Sequence, residues 1–183
     1  MSCSYKTEEK CPGGKEAPFF PPRGGTGWYD LDLPARIDAV GPLCAFLTIL
    51  CERHDLTAEE TRSVEISTYE ACLNVIEHAY GFDGEARIRL RVRLGDDRIV
   101  LSFYDRGNSF DPKSIPPPDM SDPSVRLRGR GFGLQIIRNS VDVMRYRLTT
   151  RGENNLLLIK LLERGRMKEA GEGTLAWSEG GAA

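Results

Sequence analysis

Ala86-Arg87-Ile88-Arg89-Leu90-Arg91-Val92-Arg93-Leu94 alternates strictly between apolar and basic residues. Successive strand side chains point to opposite faces, so this spacing predicts a β-strand with one buried face and one arginine face. Gly95-Asp96-Asp97 is a turn signal, and Arg98–Asp105 follows as the second strand of an antiparallel hairpin. Two more strands are expected around Val143–Thr150 and Asn155–Leu162, separated by Arg151-Gly152-Glu153, and a short one at Trp28–Leu33. The arginine face (Arg87, Arg89, Arg91, Arg93, Arg98) reads either as a solvated surface or as a docking surface for an acidic partner or a second copy.

Upstream of the hairpin the period is helical. Ile37, Val40, Leu43, Cys44, Leu47 and Leu50 place a helix over Arg36–His54. Thr57 followed by Glu60 resembles a capping box opening a second helix, which runs to about Tyr80 and ends at Gly81-Phe82-Asp83-Gly84. A short third helix is expected over Gly131–Val141. Hairpin strands with helices before and between them give an α+β fold. The expected form is a two-layer sandwich: a mixed, mostly antiparallel sheet with about three helices on one face.

The 183 residues suit one domain over 26–163, with a disordered Gly/Pro-rich leader at 1–25 and a similar tail at 164–183. A net charge of −2 gives no general pull toward nucleic acid or anionic membrane, so no direct nucleic-acid or membrane partner is expected. No run reaches the roughly 20 apolar residues of a membrane helix. The five cysteines include no CxxC, and Cys44 and Cys51 fall on one helix face as reduced core residues. A cytoplasmic location follows as the expectation.

Three segments carry candidate chemistry. In Glu70-Ala71-Cys72-Leu73-Asn74-Val75-Ile76-Glu77-His78-Ala79-Tyr80-Gly81, helical spacing puts Glu70, Asn74, Glu77 and Gly81 in one arc, with His78 beside it. Ile66, Tyr69, Leu73, Ile76 and Tyr80 flank one side, and Cys72, Val75 and Ala79 the other, so the polar seam reads either as a cavity wall or as an ordinary solvated stripe. Asp105 is in phase with the core residues Ile99, Leu101 and Phe103, which makes it an inward carboxylate in need of a partner or simply a cap on a strand-end turn. An aspartate placed so can accept a hydrogen bond from an exocyclic amine such as adenine's. Gly107 follows it, permitting close approach of a ligand or an unusual backbone angle. Gly129, Gly131 and Gly133 lead into a helix whose N-terminus suits a phosphate, although a flexible linker has the same composition. The Asn108–Arg128 loop before them, with Pro116-Pro117-Pro118, is long for a compact domain and reads as a lid or as disorder.

In order, Glu-x-x-x-Asn on a helix, Asp-x-Gly-x-x-Phe after a strand and Gly-x-Gly-x-Gly-Leu opening a helix resemble the N, G1 and G2 boxes of the Bergerat-type ATPase/kinase superfamily. The wording around Glu70, Asn74 and Glu77-His78-Ala79-Tyr80, with Asp105-Arg106-Gly107-x-Ser109-Phe110-Asp111, is similar to the bacterial anti-sigma-factor serine-protein kinases. The resemblance spans residues 28–162. It implies that Asn74 coordinates Mg²⁺ on the phosphates of ATP and that Glu70 is the base toward a partner's serine. It further implies that Asp105 binds the adenine amine with Gly107 giving the ring room, and that Gly129, Gly131, Gly133 and the adjoining Leu134 hold the triphosphate under the lid. The partners implied are a sigma factor and a small STAS-type anti-sigma-factor antagonist phosphorylated on serine. The family suggests a homodimer, while the residues leave the oligomeric state open. The alternative is an inactive nucleotide-binding module that regulates by sequestration only.

Overall fold

The structure, a computed structural model, describes residues 28–109 and 132–164. Five strands, β1 (Tyr29–Pro34), β2 (Arg87–Leu94), β3 (Arg98–Asp105), β4 (Val143–Leu148) and β5 (Asn154–Leu161), form one sheet in the order β1-β2-β3-β5-β4. Three α-helices, α1 (Ile37–Arg53), α2 (Ala58–Asn74) and α3 (Gly133–Ser140), accompany it. The α+β expectation holds with one refinement: all four described pairings are antiparallel, so the mixed component allowed for is not found among the described strands.

The alternation in β2 dictates the core. Ile88, Leu90, Val92 and Leu94 are at most 2% exposed and lie in one cluster with Val40 and Leu47 of α1, Val64 and Ala71 of α2, and Ile137 of α3. Across the sheet Leu90 faces Phe103 and Val92 faces Leu101, which in turn faces Leu158, so each inward row is continuous. Fully burying each such side chain contributes about 1.5–3 kcal/mol. Cys44, Cys51 and Cys72 are buried free thiols, as expected; burial pushes Cys44 up to about 11 and Cys51 to about 12.

The arginine face is met largely within the sheet. Arg87 pairs with Asp32 at 3.0 Å and Arg91 with Asp30 at 2.6 Å, both acids lying on the edge strand β1. Arg89 reaches Glu153 at 3.2 Å and lies over the Tyr104 ring, while Arg91 and Arg93 lie over Trp28. A second apolar cluster of Val100, Leu157 and Ile159 packs with Trp28. These contacts neutralise much of the ladder within the sheet, an arrangement that neither reading of the sequence contained.

The second helix departs from its expected form. Thr57 and Glu60 make the capping box, the Glu60 N–H donating to Thr57 Oγ1 at 3.2 Å and the Thr57 N–H to Glu60 Oε2 at 2.8 Å. After Asn74, however, the backbone widens into a π-helical turn, Val75–Ala79. Its i to i+5 bonding changes the angle between successive residues, and the polar arc stops at Asn74. Glu77 and His78 are exposed, and Ile66 and Tyr69, expected to flank the polar arc, are 38% and 42% exposed.

Glu60 has a second job that the sequence did not show. Its Oε1 accepts from the Glu163 N–H at 2.7 Å, tying the segment just after β5 to the start of α2. The Arg164 guanidinium donates to the carbonyls of Asp96 (2.7 Å), His54 (2.9 Å) and Gly95 (3.1 Å), so Arg164, assigned above to the tail, is built into the domain. Burial alone would raise the Glu60 carboxyl, but the donors from Glu163 and Thr57 and the nearby Arg164 outweigh it and lower the net value. A depressed carboxylate stabilises the fold above its unfolded value of about 4.3 and loses that contribution as pH falls through the lower folded value. Denaturant titrations of wild type and Glu60→Gln should therefore show their largest stability gap at neutral pH, closing below about pH 4. A gap independent of pH would contradict this. The leader (1–25), nearly all of the 164–183 tail, and the lid from residue 110 onward lie outside the described residues.

Candidate functional site

Glu70 and Asn74 sit one turn apart on α2, and α3 packs directly against that turn. The contact is close because the first residue of α3 is glycine: a Cβ on Gly133 would lie 2.7 Å from Glu70 Oε2 and 3.3 Å from Asn74 Oδ1. A carboxylate, an amide and a helix N-terminus thus meet at one point. The positive end of α3 suits an anion, and Asn74 Nδ2 is buried without a hydrogen-bond partner. An orphaned buried amide N–H is costly unless a ligand takes it. Burial raises the Glu70 carboxyl above its ordinary value, making its ionised form a better proton acceptor.

Leu134, counted with the nucleotide contacts by resemblance, lies in the core cluster at 7% exposure. Its side chain anchors the start of α3 and so fixes Gly133 against Glu70. Gly129 and Gly131 lie outside the described residues.

Asp105 ends β3, points inward as expected, and is 7% exposed. Its partner is Asn154, directly opposite in the β3–β5 register. Asn154 Nδ2 donates to Asp105 Oδ1 at 2.7 Å and to the Gly107 carbonyl at 3.1 Å. Asn154 Oδ1 accepts from Ser109 Oγ at 2.6 Å and from the Tyr146 hydroxyl at 2.8 Å. The Gly107 N–H also donates to Asp105 Oδ1 at 3.0 Å. Burial pushes the Asp105 carboxyl up, against the lowering effect of the Asn154 and Gly107 donors. Those donors hold one carboxylate oxygen fixed as an acceptor. The sequence reading missed Asn154, which it placed just outside the last strand; the two asparagines heading an otherwise apolar run were the available signal.

Gly107 is required for a reason unlike the one the resemblance supplied. A Cβ there would lie 2.4 Å from the carbonyl oxygen of Ala79 and 2.6 Å from its carbon. The π turn presses its last residue onto the Asp105 loop, and the Asn108 N–H donates to the same Ala79 carbonyl at 2.8 Å. Tyr80 adds a tie: its hydroxyl accepts from the Arg106 N–H at 2.7 Å and donates to the Arg87 carbonyl at 3.0 Å. The glycine joins the two halves of the site. Gly107→Ala, whose new methyl meets backbone that cannot rotate away, is expected to cost about 1–3 kcal/mol of stability. Urea unfolding checks this; an unchanged midpoint would contradict the contact.

Residues 33–160 match the family described as the histidine kinase-like ATPase domain. Serine-protein kinase RsbW of Halalkalibacterium halodurans is 31% identical over 117 residues, covering 62% of this chain and 71% of that protein. The chain belongs to this kinase family. RsbW of Bacillus subtilis is 26% identical over 127 residues, covering 67% of the chain and 79% of the relative. Among solved structures, the RsbU and RsbW domains of a Mycobacterium tuberculosis protein superpose with a TM-score of 0.54 at 20% identity, over 76% of this chain and 34% of that one. The SiaB–SiaC complex of Pseudomonas aeruginosa also gives 0.54, at 15% identity, over 72% of this chain and 88% of that one. These two likenesses concern the fold. The kinase thus has an ATP-binding domain in which Glu70 and Asn74 fall on α2, Asp105 at the end of β3, and Gly133 and Leu134 at the start of α3. Among the described residues no helix is long and apolar enough to cross a membrane, and no group of three or more His, Cys, Asp or Glu could hold a metal.

Proposed function

We propose that this kinase works in a cytoplasmic partner-switching circuit, sequestering a sigma factor and phosphorylating a small STAS-type antagonist on serine. The meeting of Glu70, Asn74 and Gly133 is the observation that supports this most. Glu70, raised by burial, is suited to take the proton of the serine hydroxyl as its oxygen bonds to the γ-phosphorus. The bond from that phosphorus to the bridging oxygen breaks, and ADP leaves. Such transfer is governed by positioning and by charge neutralisation.

Asn74 would help hold Mg²⁺ through its amide oxygen, leaving its orphaned Nδ2 to donate to phosphate oxygen. Bound Mg²⁺ would supply charge neutralisation at the phosphates. Asp105, fixed by Asn154 and the Gly107 N–H, suits the adenine amine.

A pull-down from the native cytoplasm with the tagged full chain, read by mass spectrometry with ATP or ADP present, tests the circuit. A sigma factor and a small antagonist should be enriched, with nucleotide changing their ratio. Enrichment of neither would reject the proposed circuit.

A further inference from the structure

Glu70 has two sides. One meets Gly133; the other lines a groove of about 520 Å³ between α1 and α2, walled by Gly41, Cys44 and Ala45 on α1 and by Ile66 and Tyr69 on α2, with Arg62 and Glu65 completing it. Gly41 and Ala45 are one turn apart and share a helix face. With almost no side chain at either, the α1 wall is low, and among the described residues nothing lies within 4 Å of where a Gly41 Cβ would stand.

The α2 wall is apolar and open, Ile66 and Tyr69 keeping 38% and 42% of their surface exposed. Ile66 and Tyr69, three residues apart on α2, make one apolar strip along the groove beside the half-buried Glu70 carboxylate. From Arg62 to Glu70 the groove follows α2 for about 12 Å, at about 1.5 Å per residue. That is the span of about four residues of extended chain.

We infer that this groove receives the serine-bearing segment of the substrate protein as an extended chain with an apolar residue beside the serine. The inference rests on Glu70 acting as the base of the proposed transfer. A proton acceptor must come within about 3 Å of the hydroxyl it serves. The groove runs up to Glu70, which also meets Gly133 at the α3 N-terminus, so a chain lying in the groove brings a serine at its Glu70 end up to both the carboxylate and the phosphate beyond it. Ile66 and Tyr69 would contact the apolar neighbour of the serine, and the low wall at Gly41 and Ala45 admits the peptide backbone.

The test is binding of the full-length antagonist captured in the pull-down, measured by calorimetry in the presence of ADP. Ala45→Trp fills the groove from an exposed helical position, and Tyr69→Ala removes its apolar wall without adding bulk. Both should weaken antagonist binding at least tenfold and leave affinity for ATP within twofold, which also reports that the fold is intact. Wild-type affinity for the antagonist in both variants would overturn the groove, whatever happens to transfer. Conversely, wild-type capture without phosphoserine, lost in both variants, would reject the transfer reading and keep the groove as the docking site.

Discussion

Glu70→Ala is expected to reduce phosphoryl transfer by about 10²–10⁴-fold, the usual contribution of a positioned general base. ATP affinity should stay within a few-fold of wild type. The separation follows from the geometry: Glu70 lines the groove on one side and touches the position of a Gly133 Cβ on the other, whereas the buried amide without a partner is that of Asn74. Because burial raises the Glu70 carboxyl and only the ionised form accepts a proton, transfer should fall as pH drops through that raised value. The acid limb of kcat against pH should lie above the ordinary glutamate range of about 4.3, and it should vanish from the residual activity of Glu70→Ala. Fluorescence titration with ATP and quenched-flow transfer measure the two halves separately. An equal loss of binding and transfer would assign Glu70 to nucleotide affinity instead.

Asp105→Asn should do the reverse, removing binding itself. The amide oxygen of an asparagine can still accept from Asn154 Nδ2 and the Gly107 N–H, so the local network survives. Its NH₂ then faces the adenine amine, donor against donor. Leaving such groups unpaired in a buried site costs about 1–3 kcal/mol, or about 5- to 150-fold in affinity. Unchanged unfolding together with weaker ATP binding is the expected pair of results. Wild-type affinity would remove Asp105 from base recognition.

Much of this was legible in the residues. Period-two spacing in Ala86–Leu94 and the apolar spacing in Ile37–Leu50 fixed the two layers, because burial of one face is what each pattern encodes. Asp105 was recognisable as inward because it keeps the phase of Ile99, Leu101 and Phe103. Most of the misses depend on contacts between distant segments, and one, the π turn, is a local change of helical period. The π turn after Asn74 broke the helical count, so Glu77 and His78 left the seam that one helical period would give them. Asn154 meets Asp105 only because β5 lies beside β3, a neighbour relation that local spacing does not carry. The tight contact of Gly107 with the Ala79 carbonyl was likewise invisible locally, because it joins residues far apart in the chain. The arginine ladder looked free because its acids, Asp30, Asp32 and Glu153, come from other strands and a distant turn. Exposure of Ile66 and Tyr69, which the helix alone places only beside the polar arc, goes with the low α1 wall opposite them.

The claim on which the rest depends is that Glu70, Asn74 and Gly133 form a working transfer site. Phosphopeptide mapping by mass spectrometry of the antagonist, incubated with the wild-type chain and Mg-ATP, tests it most directly. The account predicts phosphoserine on the antagonist with wild type and none above background with Glu70→Ala. An antagonist that is captured by an ATP-loaded wild-type chain yet gains no phosphoserine would contradict it, and would leave a nucleotide-binding module that acts by sequestration.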